Sequence, residues 1–178
     1  MSSILTASAP LVVTSTPMVD LSTADSVNLS DVVKGKNTII DFWTTRCTRC
    51  PDALDKLDKL TVSETHKDVN IISVCLGAAD QTGCDPAREI LEANNEPRWS
   101  NLQHYFAGVE EKEKAKAHYG FNQVPFYVVL NDKGEVVQKG SAKKVDLDAA
   151  PGAIRIVEEE EDQEEKKEDR VLDFDDDF

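Results

Sequence analysis

The chain has 178 residues, with 34 acidic side chains against 20 basic ones and a formal net charge of -14. A chain of that length buries a core without staples, and four cysteines spaced 3, 25 and 9 residues apart have neither the density nor the pattern of a secreted disulfide scaffold. Residues 158–178 hold thirteen of the acids and three of the bases, a net of -10 that leaves -4 for the body, and such a surface argues against nucleic acid and membrane surface as partners.

In chain order, residues 1–16 read as a flexible Ser/Thr/Ala-rich lead-in, 17–157 as one folded domain, and 158–178 as an acidic, partly helical or disordered tail. "TPMVDLSTADSVNLSDVVKGK" alternates irregularly and predicts loop and short strand ending in a Gly turn. "NTIIDFW" is β-branched and aromatic with little polar interruption, the pattern of a strand buried on both faces. From Asp52, Leu54, Leu57 and Leu60 recur at helical spacing after Pro51, so a helix begins there. "VNIISVCLG" predicts a second buried strand and "CDPAREILEANNE" a helix, whereas "WSNLQHYFAG" fits no single pattern. "EEKEKAKAHYG" predicts a short helix stopped by Gly120, and "PFYVVLND", "KG" and "EVVQKG" a hairpin. A last helix is expected from Pro151 through "GAIRIVEEEEDQEEKK". No stretch approaches the ~20 apolar residues of a membrane span. The start, "MSSILTASAPLVV", lacks the basic n-region of a signal peptide and the Arg-rich character of a transit peptide, so a cytoplasmic location is expected.

The chemistry gathers at "TTRCTRCP", between the buried strand and the helix. A cysteine at a helix N-terminus faces unpaired N–H groups and the positive end of the helix dipole, which favour the thiolate. Cys47 holds that place, flanked by Arg46 and Arg49, while Cys50, one turn deeper, is expected to be less exposed. A two-residue spacer lets Cys50 attack a mixed disulfide on Cys47 and release a reduced substrate. Zinc is the first rival, but a zinc site built on one such pair needs a second pair or nearby histidines. Cys75, Cys84, His66, His104 and His118 are scattered without a repeated spacing.

"DFWTTRCTRCP" resembles the thioredoxin-fold active site, whose usual pattern is Asp-Phe-Trp-Ala-x-Trp-Cys-x-x-Cys. About 75 residues later "YGFNQVPFYVVLNDKGEVVQKG" is similar to the thioredoxin segment that carries the cis-proline and the final hairpin. The lead-in and the long segment before Pro125 look like the TlpA, tryparedoxin and nucleoredoxin branch. The resemblance covers roughly residues 17–157. It implies an α/β thioredoxin-like fold, a central mixed β-sheet flanked by helices, followed here by the acidic C-terminal tail. It further implies that Cys47 is the attacking thiolate, Cys50 the resolving thiol, Asp41 the buried carboxylate that helps Cys50 lose its proton, and Trp43 a packing wall. Pro125 is expected to be cis, leaving the Val124 backbone free to pair with an extended substrate segment. Arg46 stands where the family usually has Trp, and Thr48-Arg49 replaces Gly-Pro or Pro-Pro. Two guanidinium groups in place of an apolar docking surface predict a preference for acidic partner segments. Thr44-x-x-Cys47 also matches the end of a peroxiredoxin pattern, but Ile40 stands where its proline belongs.

The implied activity is thiol-disulfide exchange through a Cys-Thr-Arg-Cys pair. It needs no bound cofactor and no metal; protein disulfides are the substrates, and a reductase or small thiol donates electrons. A second reading makes the chain a thioredoxin-fold subunit of a larger assembly, such as a ciliary dynein light chain, with a redox-sensing or vestigial site and a ciliary or cytoskeletal location. "RVLDFDDDF" keeps it open, since Leu172, Phe174 and Phe178 among acids suit an interaction segment as well as a solubilising tail. Cys75 is expected to be a small buried hydrophobe, and Cys84 either a regulatory thiol or a helix-entry residue without a role. Trp99, Tyr105 and Phe106 suit core packing or a docking patch.

Overall fold

The computed structural model describes residues 8–81 and 83–154. Two strongly apolar segments set the centre. Thr38–Trp43 (β3) is buried at every residue, and Asn70–Leu76 (β4) at all but its first. Strands covered on both faces pair in parallel, and Ile40 lies opposite Ile72 and Trp43 opposite Cys75. Gln103–Ala107 (β5) continues the parallel set beside β4. On the other side of β3, Phe126–Leu130 (β6) runs antiparallel, followed by Val136–Gly140 (β7). Pro17–Asp20 (β1) pairs antiparallel with β5, and Ser26–Asn28 (β2) closes that edge. The mixed sheet has seven strands in the order β2-β1-β5-β4-β3-β6-β7.

Alternation along the strands builds two cores. Ile39, Trp43, Ile71, Cys75, Tyr127 and Val129 face one side, where they meet the helices Cys50–Thr61 (α2) and Asp85–Leu91 (α3) through Ala53, Leu54, Leu57, Ala87 and Leu91. Ile40, Phe42, Ile72, Val74, Val128 and Leu130 face the other, where Leu29–Val33 (α1) and Val109–Tyr119 (α4) supply Leu29, Val33, Ala115 and Tyr119. Both faces of the sheet are thus covered, the α/β arrangement expected of its mostly central parallel strands. Asp41 shares strand parity with Ile39 and Trp43, which puts it on the α2 side.

Three expectations need correction. The segment read as loop and strand contains α1, because Asn28 caps it: its side chain accepts from Ser30 N–H. The flexible lead-in does not extend to residue 16. Val13 N–H donates to the Gly134 carbonyl and Val136 N–H to that of Leu11, so residues 11–13 run along the start of β7. No helix begins at Pro151: a 3₁₀ turn at Leu147–Ala149 precedes a tight turn in which Gly152 has φ 79°, and Ile154 N–H closes on the Thr65 carbonyl. The remainder of that expected helix, and the acidic tail, lie outside the described residues. The segment that fitted no pattern divides into a loop and β5. The α4 helix ends at Gly120, whose φ of 74° makes the left-handed cap that glycine adopts without strain.

Candidate active site

β3 delivers the chain to one end of the sheet, and six residues, Thr44 to Arg49, turn it into Cys50, the first residue of α2. The helix begins at Cys50 with Pro51 in its first turn, where a missing N–H costs nothing. Cys47 therefore sits before the first turn of α2 and not inside it, and Arg49 is the capping residue. Cys47 and Cys50 are joined as a disulfide with Cα atoms 5.4 Å apart. Cys47 is half-buried, whereas Cys50 has no exposed surface and belongs to the α2-side core with Trp43, Ala53 and Leu54. An incoming sulfur therefore has access to one member of the pair only.

Across the groove, Cys47 Sγ lies 3.6 Å from the Val124 carbonyl oxygen, and the Val124–Pro125 peptide bond is cis. Arg46, Cys47, Arg49, Asn122, Gln123 and Val124 line a shallow opening of about 380 Å³ that contains no carboxylate among its lining residues. The two arginines differ in their freedom. Arg46 is ion-paired with Asp80 on the loop after β4, and that hydrogen bond holds the Asp80 carboxyl below the usual carboxylate range. The adjoining Thr45 hydroxyl donates to Gln81 at 2.9 Å, so the cysteine-bearing loop is latched to the β4–α3 loop. Arg49 is exposed, and its guanidinium has no hydrogen-bond or ion-pair partner among the described residues. Of the two guanidinium groups expected to read acidic partners, Arg49 is the unengaged one.

On the α2 side of β3, Asp41 is fully buried and neither carboxylate oxygen has a hydrogen-bond partner among the described residues. Burial raises its pKa well above the ordinary value, so the carboxyl favours holding a proton. Tyr127, its cross-strand neighbour on β6, is also pushed up, by burial first and then by the charge of Asp41. Trp43 is 2% exposed and packs in the cluster that contains Cys50 and, at its margin, Cys47.

The structure brings Asp41, Trp43, Arg46, Cys47, Arg49, Cys50, Val124 and Pro125 to one end of the sheet. It leaves the other singled-out residues elsewhere or in packing roles. Cys75 is a free buried cysteine whose thiol burial pushes up to about 12, and Cys84 is a free, half-buried residue before α3. His66 is buried, with Nε2 2.9 Å from the Leu147 carbonyl oxygen, and His118 Nε2 lies 2.7 Å from that of Val12. Trp99 and Tyr105 are core residues and Phe106 packs against the core, which decides against a docking patch. Sequence reasoning missed Asp80 and Gln81, since nothing in "GAADQTG" marks a latch. It also missed Ser73, although a serine inside an otherwise apolar buried strand was a visible signal, and it weighed His104 only as a metal ligand and not as the hydrogen-bond partner of Ser73.

No curated protein matches the chain. Among solved structures it is similar to a thiol:disulfide interchange protein from Bacteroides sp., with TM-score 0.60 and 19% identity, covering 74% of this chain and 80% of that one. It is likewise similar to the thioredoxin domain of a thiol-disulfide oxidoreductase from Bacteroides vulgatus, with TM-score 0.57 and 22% identity over 75% of this chain and 89% of that one. The pattern of the Redoxin family matches residues 8–152, the strands, the helices and the cysteine pair included. The chain therefore belongs to the Redoxin family and has the thioredoxin-like fold of the structures it is similar to.

Proposed function

We propose that the chain exchanges disulfides with protein substrates through its Cys-Thr-Arg-Cys pair, in a reducing, cytoplasmic setting. In the reduced state the Cys47 thiolate attacks one sulfur of a substrate disulfide, forming a mixed disulfide and releasing the other sulfur as thiolate. When ionised, Asp41 is a strengthened base because of its raised pKa; it takes the Cys50 proton, Cys50 attacks Cys47 Sγ, the second substrate sulfur leaves as thiolate and the 47–50 disulfide forms. Two electrons pass to the substrate, and a reductase or small thiol restores the dithiol. The Val124 backbone pairs with the extended substrate segment beside Cys47, the Pro125 ring and Trp43 border the sulfurs, and Arg49 meets acidic side chains.

The observation that carries this reading is the asymmetry of the pair: Cys47 open to the groove, Cys50 sealed beneath it on the Asp41 side of the sheet. An exposed nucleophile beside a protected resolving thiol is what a mixed-disulfide pathway requires. The test is a Cys50→Ser chain expressed in its own cells and captured with its partners. Proteins that elute only with reductant, and that disappear in Cys47→Ser, are the expected result. A constant partner set indifferent to reductant and to Cys47 would overturn the reading and leave a docking subunit in its place.

A further inference from the structure

The Trp43 indole is held from behind by a chain of hydrogen bonds that the exchange chemistry does not itself require. Its Nε1–H donates to Ser73 Oγ at 3.3 Å; Ser73 Oγ lies 2.6 Å from His104 Nδ1; His104 Nε2 lies 2.9 Å from the Trp99 carbonyl oxygen. The Trp99 indole then donates to Asp55 Oδ1 at 2.5 Å, which returns the chain to α2, the helix that begins with Cys50. Every proton in it has a determined place. A carbonyl oxygen only accepts, so His104 carries its hydrogen on Nε2. In a neutral imidazole Nδ1 is then an acceptor, which the Ser73 hydroxyl satisfies while its oxygen receives the indole N–H. Burial lowers the pKa of His104, against the Trp99 carbonyl and the Asp58 charge, which raise it, and so favours this neutral form.

The far anchor is built at a conformational cost. Trp99 has φ 50°, a left-handed backbone that bulky residues rarely adopt and that persists where surrounding contacts over-determine it. In that conformation its carbonyl accepts from both His104 and Leu102 N–H, the latter at 3.1 Å, and its ring is fixed by Asp55 and covered by the Arg98 guanidinium 4.1 Å away.

We propose that Ser73 and His104 are positioning residues for the redox pair: with His104 neutral, the relay from Trp43 to Trp99 fixes the indole packed beside Cys47 and Cys50, and protonation of His104 breaks it. On protonation both ring nitrogens donate. Ser73 Oγ then receives from the imidazolium, and its own hydrogen, which had been donated to Nδ1, loses its acceptor; the hydroxyl turns to relieve an unpaired polar group in a buried site, and the indole N–H it had been accepting shifts with it. The charged groups on the elements around the ring are Asp55 and Asp58 from α2, Arg98 from the loop before β5, and Asp20 on β1, whose charge reaches the neighbouring Tyr105. β4 contributes the uncharged Ser73.

The proposal rests on the exchange reading only for its rate measurement; its spectroscopic measurement does not. In ¹⁵N-labelled native chain titrated from pH 8 to pH 5, the Trp43 indole N–H resonance is expected to move with the same midpoint as the His104 ring protons. In Ser73→Ala the histidine still titrates and Trp43 no longer follows it. In His104→Asn, which keeps an acceptor near the Nδ1 position and takes no proton, the Trp43 resonance stays fixed. The rate of Cys47 with a small aromatic disulfide should fall below the His104 midpoint by roughly fivefold more in the native chain than in His104→Asn, the factor for losing about one hydrogen bond. A Trp43 resonance that ignores the His104 titration, or follows it equally in Ser73→Ala, overturns the proposal. The native titration needs no variant, so a misfolded Ser73→Ala would not shield it.

Discussion

Asp41 is an ionisable group held where ionisation is penalised. Its carboxyl has no exposed surface and no hydrogen-bond partner among the described residues, and desolvation alone raises its pKa well above 3.8. In the unfolded chain the group ionises near the ordinary value. As pH rises through that value the unfolded state sheds a proton that the folded state keeps, and the folded state is progressively disfavoured until the raised pKa is passed. Asp41→Asn removes the charge and keeps the shape. Denaturant midpoints should therefore show the variant gaining stability over the native chain as pH rises above about 4, with no such gain in acid. The same substitution should slow release of substrate from the Cys47 mixed disulfide by about 10²-fold, the usual worth of a positioned base, as read by single-turnover quenching. A stability difference that did not vary with pH would mean that Asp41 is solvated or paired in solution.

At the scale of elements, β3, its following turn and α2 act as one unit, because the strand supplies Asp41 and Trp43, the turn Cys47 and the helix Cys50. What holds α2 on the sheet is an apolar stripe, with Leu54 and Leu57 both 0% exposed. Leu57→Ala, about two turns from Cys50, should cost about 2–5 kcal/mol in urea unfolding with little change in the slope against denaturant. This unit was legible from the sequence, because a strand buried on both faces and a 3.6-residue apolar stripe are strong periodic signals, and "DFWTTRCTRCP" places the chemistry between them. The hairpin of β6 and β7 and the Gly120 stop were legible for the same reason. The short α1 was not, since five residues give no period and its Asn28 cap resembles any turn residue. Neither was the loop from Glu92 to Leu102, whose path depends on left-handed Asn94, Asn95 and Trp99 and on Asp55 and Asp58 of a distant helix. At the site, the residues carried by the motif were legible, while the Arg46–Asp80 latch and the Ser73–His104 relay were not. Those are pairings between segments about thirty residues apart that local patterns do not encode.

For the molecule as a whole, the distribution of charge sets an opposition between site and surface. The chain carries a net -14, yet the groove beside Cys47 presents Arg46 and Arg49 and no carboxylate. Because Asp80 already engages Arg46, Arg49 is the cation available to an incoming chain. Arg49→Glu should slow reduction of an acidic disulfide peptide about tenfold at low ionic strength, and the difference should shrink as salt screens it. A neutral peptide should be reduced at nearly the native rate, and Arg46→Glu should have the smaller effect. Equal slowing of acidic and neutral peptides by Arg49→Glu would show that Arg49 supports the turn and does not select partners. The sheet also separates its sulfur by reactivity. Cys75, in register with Trp43 one strand away from the pair, is sealed and has its thiol pushed up to about 12. At neutral pH such a thiol stays protonated, and thiolate is the species that attacks a disulfide. A sealed, protonated thiol one strand from the pair is a bystander, so sulfur oxidation at this part of the sheet stays confined to Cys47 and Cys50.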